Sequence, residues 1–232
     1  MLMRRIILTA SGLALVAFVA VALFGQPSSA YGAWASYKSL LAAGHYARAA
    51  GLVSTAQLER EDHHRRLALE ASEAELAKLD FLDMAAVLGI RKAVHVGSLS
   101  LEDVQDPANP RAFHAALRKG LPNQPLQKFS LLAAVPLGPG KSTGWVGPEE
   151  FGLKTLPFSV AFGLRIDFEY QDGKWRLDYF PAMSASAREN EAIGGTGSQT
   201  DFAARKRYFS MMLAADDTEL QTALWHPLDS QD

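Results

Sequence analysis

The chain has 232 residues, of which 48% are hydrophobic and 21% are charged, a composition typical of globular proteins rather than disordered or fibrous ones. Its formal net charge is −2 and its short basic runs lie among acidic residues, so it has no basic stripe of the kind that binds nucleic acid. The absence of cysteine excludes disulfides, thiolate metal sites and cysteine nucleophiles.

The first predicted element is an apolar segment near the N-terminus. Residues 6–24 carry no charge and follow the basic pair Arg4 and Arg5. As a helix they would extend roughly 28 Å, close to the hydrocarbon thickness of a bilayer. Residues 1–30 are therefore predicted to be a transmembrane anchor or a signal peptide. The length of the apolar run favours an anchor, whereas the small residues Ser28 and Ala30 favour cleavage after Ala30.

Both interpretations place the protein in the cell envelope. The positive-inside tendency keeps Arg4 and Arg5 in the cytoplasm, so the chain from Tyr31 onward faces outward. An uncleaved segment, with residues 6–24 in the lipid, anchors the protein in the inner membrane. Cleavage after Ala30 instead releases a periplasmic or secreted protein.

Helices are predicted to dominate the chain as far as Pro122. The apolar spacing in residues 31–53 fits one face of a single helix or of two short helices broken near Gly44. A second helix is predicted to begin after Ser54-Thr55, where a hydroxyl can cap it. The stretches FLDMAAVLGIRK and PANPRAFHAALRKGLP predict two more helices, the second bounded by its own Pro and Gly residues.

After Pro125 the pattern becomes that of strands. FSLLAAVPL, FSVAFGLRIDFEY and WRLDYFPAM are strand-like and are separated by Gly and Pro clusters. Gly163, inside the second of these runs, predicts a bulge or bend. Helices followed by an antiparallel meander predict an α+β fold, with the helices packed on one face of a curved sheet.

The C-terminal part is predicted to be a linker and a helical tail. Residues 184–200 are small, polar and glycine-rich, and residues 201–232 hold two short helical patterns, Asp201–Ala215 and Thr218–Trp225. The tail either packs on the core or docks onto a partner. Its candidate interface residues are apolar: Phe202, Phe209, Met212, Leu213 and Trp225.

One superfamily shares this layout. The helix YKSLLAAGHYARAAGLV, further helices and the hairpin FEYQDGKWRLDYF together resemble the NTF2-like superfamily, the cystatin-like or SnoaL-like α+β roll. The similarity covers roughly residues 31–183 and implies that they form one domain. The superfamily includes isomerases, dehydratases, transport adaptors and membrane-anchored envelope subunits, so the resemblance implies a fold and does not select a function. No enzyme-family motif matches, and no catalytic residue is carried over.

The hairpin in residues 165–180 raises the question of a paired-carboxylate site. With a two-residue turn at Asp172-Gly173, Asp167 lies directly across from Asp178 on the polar face of the hairpin. A catalytic pair would need a cleft of low polarity instead. A three-residue turn with a bulge would shift the register and separate the two acids. We interpret the polar face as a solvated or interface-facing charge ladder: Arg165, Asp167, Glu169, Arg176 and Asp178.

The other face of the same hairpin is apolar and has two interpretations. Tyr170, Trp175 and Tyr179 could line a small-molecule pocket with hydroxyl and indole donors. Alternatively these aromatic side chains are plain core, as residues at alternate positions of a strand usually are.

Two motif-like stretches fail as sites. GPGKST, residues 138–143, resembles a phosphate loop, but the first glycine of that motif and the helix after it are both missing. His63 and His64 diverge by about 100° on a helix and cannot easily share a metal ion. The other histidines, His114 among them, have no partner in the sequence pattern. The sequence thus predicts no catalytic residue, metal site or cofactor.

Three functional hypotheses follow. The leading one is a non-catalytic envelope protein, exported or anchored through residues 6–24, that binds a protein partner or a small ligand; a homodimer is compatible with it. The second is an isomerase or dehydratase with a pocket between helices and sheet, which requires an ionisable group in the interior. The third is a structural subunit of a membrane complex that uses the charge ladder or the tail as its interface.

Overall fold

A computed structural model describes residues 29–121, 128–156, 159, 164–179 and 202–230. Residues 1–28 of the predicted membrane or signal segment, the linker 184–200 and Gly163 lie outside these residues. None of the helices in the described part is long and apolar enough to cross a membrane.

The described residues form an α+β fold, as predicted. The helices are α1 (Ala30–Ala42), α2 (Tyr46–Ala50), α3 (Thr55–Glu70), α4 (Glu73–Leu76), α5 (Phe81–His95), α6 (Leu101–Gln105), α7 (Pro110–Gly120), α8 (Phe202–Ala214) and α9 (Thr218–Ala223). The strands are β1 (Phe129–Gly138), β2 (Lys141–Pro148), β3 (Arg165–Gln171) and β4 (Lys174–Asp178). Two 3₁₀ segments, Glu149–Thr155 and Leu228–Ser230, complete the assignment.

Hydroxyl and carboxyl caps start most of the helices. Ser29 accepts a hydrogen bond from Gly32 N at the start of α1, and Ser54 accepts one from Gln57 N at the start of α3, as predicted. The predicted break between the first two helices lies at Gly44, whose φ of 73° favours glycine. Local sequence chemistry therefore sets the helix boundaries that position the interior residues.

The sheet is antiparallel, with strand order β1-β2-β3-β4. Strand β2 was not predicted. It contains Gly144, Gly147 and Pro148, which have low strand propensity. In the structure a Cβ on Gly144 would lie 2.4 Å from Leu131 Cδ1, and one on Gly147 would lie 2.6 Å from Thr155 Oγ1. Neighbouring side chains thus occupy the space over these glycines, and close packing compensates for their low strand propensity.

The β3–β4 hairpin has the two-residue turn. Asp172 and Gly173 have φ values of 52° and 77°, as a type I′ turn requires. Asp167 consequently pairs with Asp178 in the register. The outer edge of β4 is covered because Leu177 exchanges backbone hydrogen bonds with Leu52 and Ser54, which leaves β1 as the edge of the sheet opposite β4.

Two hydrophobic cores hold the fold together. The sheet core lies between α1, the start of α3 and the inner face of the sheet, and includes Trp34, Ile166, Phe168 and Leu177. The helical core lies among α3, α5, α7 and the C-terminal helices. Helix α7 contributes Phe113 and Leu117 to the helical core.

The C-terminal tail packs back on the helical core. Phe209 and Trp225 are buried there, and Phe202 and Leu213 are half-buried against it. Met212 differs, because its side chain is 61% exposed. Most of the apolar surface that made the tail a candidate interface is therefore covered by the protein itself.

Candidate functional site

A group of ionisable and aromatic side chains fills the interior between α1, α3, α7 and the end of β4. We call it the Glu61 cluster: Tyr37, Glu61, His114, Arg118 and Tyr179. The side chains of His114, Arg118 and Glu61 are only 0%, 5% and 6% exposed. The cluster thus places charges in the interior, which is the feature that the enzyme hypothesis required.

Four hydrogen bonds converge on the Glu61 carboxylate. Its Oε1 accepts from Arg118 Nη2 at 2.6 Å, from Gln57 Nε2 at 3.2 Å and from the Tyr179 hydroxyl. Its Oε2 accepts from His114 Nδ1 at 2.7 Å. A carboxylate with this many donors is fully satisfied within the protein.

Helical spacing explains how two elements supply most of these donors. Gln57 and Glu61 are four residues apart on α3, and His114 and Arg118 are four residues apart on α7, so each pair shares one helix face. The phenol of Tyr179 enters directly after β4, and Arg118 lies 5.2 Å from the centroid of its ring. The cluster therefore connects the helices to the sheet.

The electrostatics of the cluster keep Glu61 ionised. Burial alone would raise its pKa, but the opposing effects of His114 and Arg118 prevail and hold that pKa well below its usual range. Burial would likewise lower the pKa of Arg118, and Tyr179 and Glu61 together raise it above its ordinary value. The central pair is thus a permanent ion pair at neutral pH.

The two phenols remain protonated. Burial raises the pKa of Tyr37 and of Tyr179 far above the usual value for tyrosine, so both are neutral at physiological pH. An ionised Glu61 can only accept, so His114 Nδ1 carries a hydrogen and His114 Nε2 faces the Tyr37 hydroxyl at 3.4 Å. Glu61, His114 and Tyr37 form a relay with the connectivity of a carboxylate–histidine–hydroxyl triad.

The charge ladder predicted on the hairpin is divided among several partners. Asp178 forms an ion pair with Arg60 of α3 at 2.7 Å. Asp167 accepts a hydrogen bond from Thr143 Oγ1 at 2.6 Å and lies 3.7 Å from the exposed Arg165. The repulsion between the two aspartates is thus offset by cations on both sides, including one from α3 that the hairpin sequence does not contain.

The two remaining ladder residues, Glu169 and Arg176, lie across from each other in the β3–β4 register but bind other partners. Arg176 is buried and donates to Gly51 O at 2.5 Å and to Asp172 Oδ2 at 3.2 Å. Glu169 instead accepts from the neighbouring Gln171 side chain at 2.7 Å. Arg176 thereby attaches the hairpin to the segment after α2.

The three predicted pocket-lining aromatics lie in two separate places. Tyr170 is 51% exposed at the end of β3 and contacts Trp175, with ring centroids 5.7 Å apart. Tyr179 is fully buried in the Glu61 cluster. The structure therefore divides this set between an exposed hairpin end and the interior.

Glu61, His114 and Arg118 were not predicted as site residues, and the expectation that His114 is isolated is wrong. In the sequence they lie within charged helical runs, where polar residues usually face solvent. The available signal was the spacing of His114 and Arg118, which are four residues apart on α7 and next to the apolar Phe113 and Leu117. That spacing places a histidine and an arginine beside the buried face, but it cannot identify Glu61 as their partner.

Among the described residues, no three histidine, aspartate or glutamate side chains are arranged to hold a metal ion. Comparisons with protein-family models, with curated proteins and with solved structures give no match to the chain.

Proposed function

We propose that the chain is a single-pass membrane-anchored protein of the cell envelope whose α+β domain, an NTF2-like roll, faces outward and binds a protein partner without catalysing a reaction. The observation that carries the proposal is where the fold begins relative to residues 6–24. Only residues 25–29 separate that apolar segment from the first residue of α1.

The start of α1 supports retention of the segment over cleavage after Ala30. Ser29 caps the helix, Ala30 is 6% exposed, and Ala33 and Trp34 are buried in the sheet core. Cleavage after Ala30 would remove the cap and a buried residue, and it would place a new ammonium group at the positive end of the helix dipole. Both changes would destabilise the domain, so an intact N-terminal segment suits this fold better.

The Glu61 cluster supports binding rather than chemistry. Its carboxylate is saturated by donors from the protein, both phenols are held neutral, and its side chains are almost completely buried. A substrate would have to break several of these bonds before it could reach His114. The partly exposed charges of Arg165, Asp167 and Asp178 are more accessible to a protein partner.

The test is the mass and the membrane association of the native chain. We expect the untagged protein, recovered from the membranes in which it is made, to have the full-length mass and to resist extraction by alkaline carbonate. A protein partner should remain bound in mild detergent, and the charge reversal Arg165→Glu should weaken that association. A mass lacking residues 1–30 in the soluble fraction would overturn the proposal.

A second candidate, an enzyme, is favoured by the relay from Glu61 through His114 to Tyr37. It requires that the cluster open to solvent during turnover. Modification by diethyl pyrocarbonate, mapped by peptide mass, would test this requirement against the exposed His45. Modification of His114 at a rate approaching that of His45 would favour the enzyme, whereas complete protection of His114 would exclude substrate from the site.

A further inference from the structure

One end of the sheet exposes a group of apolar side chains. Leu137 and Val135, before the β1–β2 turn, are 65% and 41% exposed, and Tyr170 at the end of β3 is 51% exposed. The β1–β2 turn and the end of β3 lie at the same end of the sheet, because Tyr170 N donates to Gly140 O at 2.7 Å. Val135 lies in register with Thr143 and Asp167, on the face of the sheet opposite Tyr170. We call Val135, Leu137, Tyr170 and the half-buried Trp175 the hairpin tip.

The backbone of the hairpin tip is poorly suited to pair with another strand. Pro136 has no N–H to donate, and the β1–β2 register shifts between Pro136 and Gly138. Both features are known to protect sheet edges against pairing. Whatever covers the hairpin tip therefore contacts its side chains, and a flat apolar surface suits it better than an added strand.

The position of the apolar N-terminal segment indicates which surface that is. Residues 25–29 can extend at most about 17 Å, so a domain anchored through residues 6–24 stays next to the bilayer. The local concentration of lipid at the domain surface is then very high. This step rests on the membrane anchoring proposed above.

The neighbouring charges favour the hairpin tip over the exposed apolar residues Phe151 and Leu153 as the part of the domain that contacts lipid. Lys141 and Lys174 lie beside the tip, where Glu169 and Asp172 are the nearby acids and Asp172 is paired with Arg176. Phe151 and Leu153 are 56% and 68% exposed and directly follow two glutamates. Tyrosine, tryptophan and lysine are residues that lie favourably at the headgroup level of a bilayer.

We infer that the hairpin tip inserts into the headgroup region of the bilayer that holds residues 6–24. Leu137 and Tyr170 enter the apolar boundary, and Lys141 and Lys174 contact lipid phosphates. The domain is then held at two points, at Ser29 and at the hairpin tip. This second contact would fix the orientation in which the charge ladder is presented.

The chain contains no cysteine, so single-cysteine variants of the full chain can report lipid contact cleanly. We would place an environment-sensitive fluorophore at Leu137→Cys, Met212→Cys or Val19→Cys, in vesicles of phosphatidylcholine and phosphatidylglycerol containing spin-labelled quencher lipid. Met212 is the matched control, because its exposure of 61% is close to that of Leu137. We expect several-fold stronger quenching at Leu137 than at Met212, and weaker quenching at Leu137 when Lys141→Glu and Lys174→Glu are added.

Each alternative outcome is distinct. Strong quenching at Val19 with Leu137 no better quenched than Met212 would overturn the inference and leave the anchor intact. Blue-shifted emission at Leu137 without lipid quenching would show that protein covers the hairpin tip, which also overturns it. Absence of quenching at Val19 would overturn the proposed anchoring and the inference together.

Discussion

Two buried arginines of this protein are accommodated in opposite ways. Arg118 lies against the Glu61 carboxylate, and its pKa is raised above the ordinary value. Arg91 is completely buried and donates to backbone carbonyls, and burial lowers its pKa to about 10. A buried cation can therefore be compensated by one full negative charge or by several partial ones.

The partial charges around Arg91 come from helix ends. Its guanidinium donates to the carbonyls of Leu67, Ala68 and Ala71 at the end of α3, and to that of Leu224 just after α9. The Leu67 carbonyl also accepts from Ala71 N, whereas the last carbonyls of a helix have no partner within it. All of these carbonyls lie at the negative end of a helix dipole. Arg91 thus connects the tail to the helical core, whereas Arg118 connects the helices to the sheet.

Breaking the ion pair between Arg118 and Glu61 should lower the free energy of unfolding more than removing Arg91 does. Arg118→Met leaves the buried Glu61 carboxylate without its guanidinium, and we expect the free energy of unfolding to fall by about 3–5 kcal/mol. Urea unfolding of the full chain in detergent measures this, with the exposed Arg111→Met on the same helix as the control. The double variant Glu61→Gln with Arg118→Met should regain part of the loss. A loss below about 1 kcal/mol would mean that the cluster is not a stabilising connection.

Removing Arg91 should lower the free energy of unfolding by a smaller amount, and its effect on hydrogen exchange should be local. Arg91→Met leaves several buried carbonyls without a donor, and we expect a loss of about 2–3 kcal/mol. Hydrogen exchange should rise mainly in α8 and α9, because the contact with Leu224 is lost. Arg66→Met, whose side chain is 56% exposed, is the control and should change stability little. Uniformly faster exchange across the sheet would contradict a role confined to the tail.

The two sites should also differ in their dependence on pH. The pKa of Glu61 is lowered on folding from its ordinary 4.5, so the unfolded chain binds this proton more readily than the folded one. Its contribution to stability is therefore complete above about pH 5.5 and shrinks as the pH falls below the ordinary pKa. Arg91 stays charged throughout that range.

We therefore expect the difference in unfolding free energy between the native chain and Glu61→Gln to shrink from pH 7 to pH 3. The corresponding difference for Arg91→Met should stay constant over the same range. Urea titrations at several pH values would measure both. A constant difference for Glu61→Gln would show that its pKa is not lowered in the folded state.

The sequence predicted local features well and long-range ones poorly. The cap at the start of α3 and the break near Gly44 depend on a few adjacent residues, and the structure has both. Of the two turns left open for the hairpin, the structure has the two-residue turn at Asp172-Gly173. Strand β2 depends on how side chains from other elements fill the space over Gly144, which no local pattern contains. The partners of Arg91 are carbonyls, which every residue has, so composition cannot identify them.

The Glu61 cluster shows most clearly that long-range contacts are hard to predict from the sequence. His114 and Arg118 are separated from Glu61 by more than fifty positions in the chain, and the three meet only after α3 and α7 pack together. Charged residues on a helix are usually exposed, so a single sequence favours the wrong environment for all three. The fold class could be predicted from periodicity, whereas the cluster required the tertiary structure.

The smallest change in the free energy of unfolding is expected at Ser29, which contacts neither Arg91 nor Arg118. Ser29→Ala removes the cap of α1, and we expect a loss of about 1 kcal/mol, because the N–H of Gly32 loses its acceptor. Ser39→Ala, at an exposed position of the same helix, is the matched control and should be neutral or slightly stabilising, since alanine is the better helix former. Urea unfolding of both variants distinguishes a loss of unfolding free energy at Ser29 from no loss or a slight gain at Ser39. If Ser29→Ala were as neutral as its control, the fold would not depend on Ser29, and cleavage after Ala30 would become compatible with a stable domain.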